Sequence, residues 1–181
     1  MNNPIVILKT TESQSAVVSA DLAILKERIY DKCGYILTNF KRSPESQEYD
    51  ACSFVLEGRL VQYRASKITP TKVGQFVTTW KRNSDGVTEP FNISDEVEFI
   101  FITSKRTGEL GQFIFPKSVL IERGVLSRNG KEGKRGIRVY PPWDQPTNSL
   151  AVKTQSWQTK YFISLNSNET VYLKTLKALF A

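Results

Sequence analysis

Apolar positions along this chain switch between two periods, and the switches mark its elements. After a polar opening rich in Thr, Ser, Gln and Asn, Leu22, Leu25, Ile29 and Cys33 recur at helical spacing. Ser19 offers a capping hydroxyl before them and Gly34 a stop after them. A polar segment, Lys41 to Glu48 with Pro44 inside it, leads into two strand-like runs, Ala51–Leu56 and Leu60–Ala65. The Glu57-Gly58-Arg59 link between them is hairpin chemistry. Val73, Phe76, Val77 and Trp80 then fall on a helical stripe, with Thr69 and Pro70 as a start signal. That spacing predicts a crossover helix. Gly74 and the β-branched Val77, Thr78 and Thr79 argue for a third consecutive strand instead.

Val97–Thr103 is apolar on both faces, as a central buried strand requires. Gly111–Phe115 predicts another strand, and Pro116 opens a short helix ending near Gly124. Asn148 can cap a helix carrying Leu150, Thr154, Trp157, Tyr161 and Leu165 on one face. A last helix is expected near Glu169 to Phe180. The order predicts a mixed α/β single domain, a central mixed sheet flanked by helices. Residues 1–18 read as a loosely held lead-in, 19–165 as the domain, and 166–181 as an appended helix.

Bulk composition narrows the chemistry. The 181 residues suffice for one domain with a real core, and 40% hydrophobic against 24% charged residues is globular. No apolar run is long enough to span a bilayer, and Ile5–Leu8 is too short for a signal peptide, so a cytoplasmic protein is expected. Cys33 and Cys52 form no CxxC pair. With no histidine, Ser-His-Asp and Cys-His nucleophiles are excluded, as are His-based metal sites. The formal charge of +7 favours a polyanionic partner.

Three constellations could carry function. Asp50 precedes one strand of the predicted hairpin and Lys67 ends the other, the frame in which metal-dependent phosphodiesterases hold Mg²⁺ and steady developing charge. The second acid of that frame would stand at position 65, which is Ala65. Glu48 is a candidate relocated acid and Glu27 a more distant one. The plain alternative is a loop acid and a solvated strand end. Ser127–Arg138 interleaves Arg128, Lys131, Lys134, Arg135 and Arg138 with Gly130, Gly133 and Gly136. It suits either a loop tracking a phosphate backbone or a solubilising hairpin tip at Asn129-Gly130. No Gly-Lys-Ser/Thr occurs, so Walker-type hydrolysis is unsupported. Finally, Lys72, Lys81, Arg82, Lys105 and Arg106 lie near element ends, with Trp80, Tyr140 and Trp143 close by in sequence. Such aromatics can stack bases or simply pin the chain to the core.

Several of these stretches carry a resemblance. Tyr63–Phe76, Trp80-Lys-Arg82, Phe113–Leu120, Gly133–Gly136, Arg138–Trp143 and Lys153-Thr-Gln155 resemble the MepB family, over about residues 20 to 165. The resemblance implies a layout similar to the PD-(D/E)XK, or restriction-endonuclease-like, sandwich, in which Asp50 matches the first acid and Lys67 the lysine. Ala65 departs from the second acid. The expectation is a DNA-binding protein, with RNA as a possible partner, that cleaves weakly or not at all. Lys67, Lys72, Lys81 and Arg82 would line the degenerate site, and Arg128, Lys131, Lys134, Arg135 and Arg138 would grip the strand. The alternatives are a Mg²⁺-dependent nuclease using Glu48 and Asp50, or a module whose basic loop docks an acidic protein. No cofactor is required unless the nuclease reading holds.

Overall fold

The computed structural model describes residues 5–9 and 15–181, with side chains from Val18 onward. The chain begins with β1 (Ile5–Lys9) paired antiparallel to β2 (Ser15–Ser19), so part of the expected lead-in is a hairpin. The polar residues at 1–4 and 10–14 lie outside the described residues. Ser19 caps α1 (Ala20–Leu25), accepting a bond from the Leu22 amide at 3.4 Å. The helix loosens into a wide turn over Lys26–Tyr30, tightens over Asp31–Cys33, and stops at Gly34 in the left-handed region. Tyr30 is thereby fully buried, and its hydroxyl donates to Gln112 Oε1 at 2.6 Å.

β3 (Leu37–Arg42), β4 (Cys52–Leu56) and β5 (Arg59–Ala65) follow as antiparallel neighbours. Glu57 and Gly58 both take positive φ, the twist a two-residue hairpin needs. The chain then leaves the sheet through β6 (Lys67–Thr69), β7 (Lys72–Thr78), β8 (Trp80–Arg82) and β9 (Thr88–Pro90). It returns as β10 (Phe99–Arg106), parallel to β5, and turns into β11 (Glu109–Pro116) and α2 (Lys117–Glu122). β12 (Gly136–Val139), α3 (Ser149–Gln158), β13 (Phe162–Ser164) and α4 (Glu169–Phe180) complete the chain.

The central sheet therefore runs β13-β11-β10-β5-β4-β3, mixed because β5 and β10 alone are parallel. β10 is buried from Phe99 to Ser104, as its two-faced apolar run predicts. One face packs on α1 and α4 through Leu22, Ile29, Phe54, Tyr63 and Phe101. The other is covered by a second core including Val77, Ile100, Phe113, Leu120 and Val139.

Three expectations change. Residues 72–78 are a strand, because the sheet uses their alternation: Gln75 and Val77 turn inward while Phe76 and Thr78 turn out. The helical stripe split Phe76 from its true face. The parallel crossover from β5 to β10 is thus made of hairpins, where a helix is usual. The third helix stops at Gln158 and faces Ala151 and Gln158 inward, leaving Leu150 74% exposed. The C-terminal helix, read as appended, buries Tyr172, Leu176 and Phe180 in the main core, and Phe180 stacks on Phe99 at 4.7 Å. Among the described residues no helix is long and apolar enough to cross a membrane.

Candidate nucleic-acid interface

The nuclease frame depends on one strand carrying the acid position and the lysine on a shared face. Here β5 ends at Ala65, and Ser66 breaks the strand: its amide donates to Thr103 O at 2.8 Å and its hydroxyl to Gln75 Oε1 at 2.7 Å. Lys67 therefore opens β6 in a different sheet, and the two-residue spacing spans a sheet boundary. Its ammonium lies 4.9 Å from the centroid of the Tyr49 ring.

Tyr49 belongs to a tight turn, Gln47–Tyr49, that opens and closes on left-handed Ser46 and Asp50. In such a turn residues two apart point well away from each other. Glu48 is exposed, whereas half-buried Asp50 lines a narrow crevice with Ser19, Arg42 and Cys52. Tyr49, between them, sets its ring edge-on to Phe76 at 6.1 Å. Burial, with a smaller push from Glu48, holds the Tyr49 hydroxyl above its usual pKa, so it stays neutral. Glu27 lies on the wide turn after α1. Among the described residues, no three carboxylates or thiols converge. Glu48 is thus on the open surface and Asp50 in the crevice, and no third carboxylate or thiol joins them among the described residues.

What the fold does assemble is the outer face of the small sheet β12-β7-β6. Phe76 pairs with Lys67 on one side and Arg138 on the other, so the three side chains stand in one row on one face. Lys72 lies at the adjoining turn, opposite Thr69. Arg138 is held without neutralisation: its Nη1 donates to Gly74 O at 2.8 Å and to Thr69 Oγ1 at 3.0 Å. Gly74 permits this arrangement. Its φ is 84°, and a Cβ there would lie 2.6 Å from the Tyr140 ring and 2.9 Å from Arg138 Cγ. Tyr140 thereby joins the same surface, while Trp143 turns inward against Phe162 at 5.4 Å. Arg106 caps it, 5.7 Å from its ring and bonded to its carbonyl.

The other predicted cations divide. Lys81 pairs with Asp95 at 2.5 Å and Glu89 at 3.4 Å. Burial is the largest influence on its pKa and lowers it, but the two acids together outweigh burial and hold it above the usual lysine value. Arg82 pairs with Glu45 at 2.7 Å and also lies over Trp80. Arg135 bonds Glu132 and the Thr88 carbonyl. Arg128 and Lys131 face each other across the Asn129-Gly130 turn, through mutual backbone hydrogen bonds. Gly133 is not there for mobility, since a Cβ would lie 2.3 Å from the Val125 carbonyl. Lys134 is exposed and lines a groove against α3 together with Arg123 and Arg138.

Arg64 escaped the sequence reading. It is 4% exposed, donates to the Tyr63 carbonyl at 2.7 Å, and its Nε makes no hydrogen bond among the described residues. Burial draws its pKa down to about 10. Nothing in a strand reading singles out an arginine at that place. Tyr49 was also missed, because a half-buried ring in a turn has no periodic signature.

Comparison with known proteins now defines the chain. It is a mixed α+β domain whose central sheet is flanked by helices. The MepB-like family model matches residues 43–164, and the chain belongs to that family. The crystal structure of MepB aligns with a TM-score of 0.73 at 30% identity, covering 83% of this chain and all of that one. A bacterial homing endonuclease aligns at a TM-score of 0.43 and 15% identity, over 90% of this chain and 93% of that one, a distance at which the likeness carries no argument. No curated protein matches.

Proposed function

We propose that this MepB-like protein binds nucleic acid, DNA foremost, through backbone phosphates laid across the outer face of the small sheet, and that it does so without metal-dependent cleavage. The observation that carries the reading is the row Lys67–Phe76–Arg138, which contains no carboxylate and is flanked by Tyr49 and Lys72. Cations beside half-buried aromatic rings suit phosphates next to bases. The net charge of +7 adds long-range attraction for a polyanion. The open setting of Glu48, the crevice setting of Asp50 and the break between Ala65 and Lys67 favour binding over chemistry.

The test is anisotropy of labelled DNA, as duplex and as single strand, titrated with salt. Binding at 50 mM salt should fall by orders of magnitude towards 200 mM, following release of counterions. Lys67→Glu with Lys72→Glu should weaken binding at least about tenfold, since each lost phosphate contact also flattens the salt slope by about one. An affinity unmoved by salt, or by that double variant, overturns the reading. Plasmid cleavage in Mg²⁺ or Mn²⁺ that disappears in Asp50→Ala and Lys67→Ala would establish the nuclease alternative. Capture of an acidic protein, with no DNA bound at any salt, would establish the docking-module alternative.

A further inference from the structure

Resting on the nucleic-acid reading, we infer that the groove between β12 and α3 receives one unpaired nucleotide of the bound strand, which makes the protein a single-strand binder. The groove holds about 410 Å³, within the range of small-ligand sites, and suits one nucleotide but not a base pair. Arg123, Lys134 and Arg138 line it, and none of its lining residues is acidic. The nearest carboxylate tie is at the rim, where Arg123 meets exposed Glu122 at 3.0 Å, a surface pair of little strength.

The remaining lining suits a base. Tyr140 and Trp157 supply aromatic surface, and the Arg123 guanidinium lies 5.1 Å from the Trp157 centroid. Leu150 lines the groove at 74% exposure, an apolar side chain that the core does not use. Gln158 makes the back wall rigid: its Oε1 accepts from the Tyr140 amide at 2.9 Å and its Nε2 donates to Arg138 O at 3.0 Å. Bases stack on such surfaces only when unstacked from their neighbours, as in single strands.

Arg138 connects the two surfaces. It stands in the row with Lys67 and Phe76 and also lines the groove. A strand lying along the row can place its next phosphate at Arg138 and Lys134 and drop the attached base between Tyr140 and Leu150. A duplex can use the row but cannot fill the groove.

Anisotropy with a single strand and its blunt duplex separates the two claims. The single strand should bind about tenfold more tightly, a base–aromatic contact being worth roughly 1–3 kcal/mol. Leu150→Glu, an exposed change in the first turn of α3, and Lys134→Ala should remove most of that preference. Leu150→Glu should leave duplex affinity and the thermal melt unchanged, whereas Lys134→Ala should leave the melt unchanged and weaken the duplex only by the single phosphate contact it supplies. In competition, dAMP should displace the labelled single strand at concentrations where deoxyadenosine and inorganic phosphate do not. Equal affinity for both DNA forms in the wild type, or a preference that survives Leu150→Glu, overturns the groove assignment while the binding face stands. Displacement by polyglutamate as effective as by dAMP also overturns it, because the groove would then be reading charge alone. If neither DNA form binds at low salt, the failure belongs to the nucleic-acid reading itself.

Discussion

Two basic regions of this protein draw on the same residue types and end in opposite states. Around β8 and β9 each cation has an acid: Lys81 with Asp95 and Glu89, Arg82 with Glu45, and Arg135 with Glu132. Across the small sheet the cations meet rings and carbonyls instead: Lys67 over Tyr49, and Arg138 on Thr69 and Gly74. A phosphate approaching the first region must displace a carboxylate. One approaching the second adds charge compensation that the fold has left out. Positive charge in a sequence thus counts potential partners, while only the second region offers them.

The sharpest way to break this contrast is at Gly74. Gly74→Ala forces a side chain into a left-handed backbone and against Tyr140 and Arg138. A loss of about 2–4 kcal/mol in chemical denaturation is expected, together with loss of DNA affinity. A variant that melted and bound like the wild type would show that the surface does not depend on this close approach. Next in size, Phe180→Ala should cost about 3 kcal/mol, because it empties a site stacked on Phe99 at the far side of the sheet. It should leave the salt dependence of DNA binding untouched, so a change there would tie the two ends of the molecule together.

Smaller effects sharpen the comparison from the paired side. Lys81→Ala leaves Asp95 half-compensated, although the Asn92 amide still donates to it at 2.8 Å. About 1 kcal/mol should be lost, with no change in DNA affinity. Arg82→Ala removes an exposed pair with Glu45 and should alter neither melting nor binding measurably. If Lys81→Ala or Arg82→Ala weakened DNA binding as strongly as Lys67→Glu with Lys72→Glu, the two regions would act as one surface and the distinction would fail.

Much of the frame was legible because it rests on local rules. Ser19 as a cap, Gly34 as a stop, the Glu57-Gly58 hairpin and the two-faced apolar run of β10 each follow from a few adjacent residues. The candidate site was legible only in part. Lys67, Lys72 and Arg138 were named, but the row Lys67–Phe76–Arg138 is completed by the pairing of Phe76 with Arg138, 62 positions on, which no local spacing encodes. The same holds for Tyr49 and for the groove, whose walls come from β12 and α3. At residues 72–78 the periodic signal pointed to a helix because Phe76 and Val77 are adjacent apolar residues serving opposite faces, and a period count cannot tell two faces from one stripe.

By itself, then, the chain's sequence determined a histidine-free, basic α/β domain, its caps and hairpins, and its central strand, with an alanine at position 65. Tertiary structure decided which cations are spent on acids, that Lys67 leaves the sheet of Ala65, and that Arg138 joins a basic row to a groove. The division has a physical cause. Caps, turns and burial patterns are set within a few residues, whereas charge pairing and surface rows depend on partners that only long-range strand pairing brings within a few ångströms.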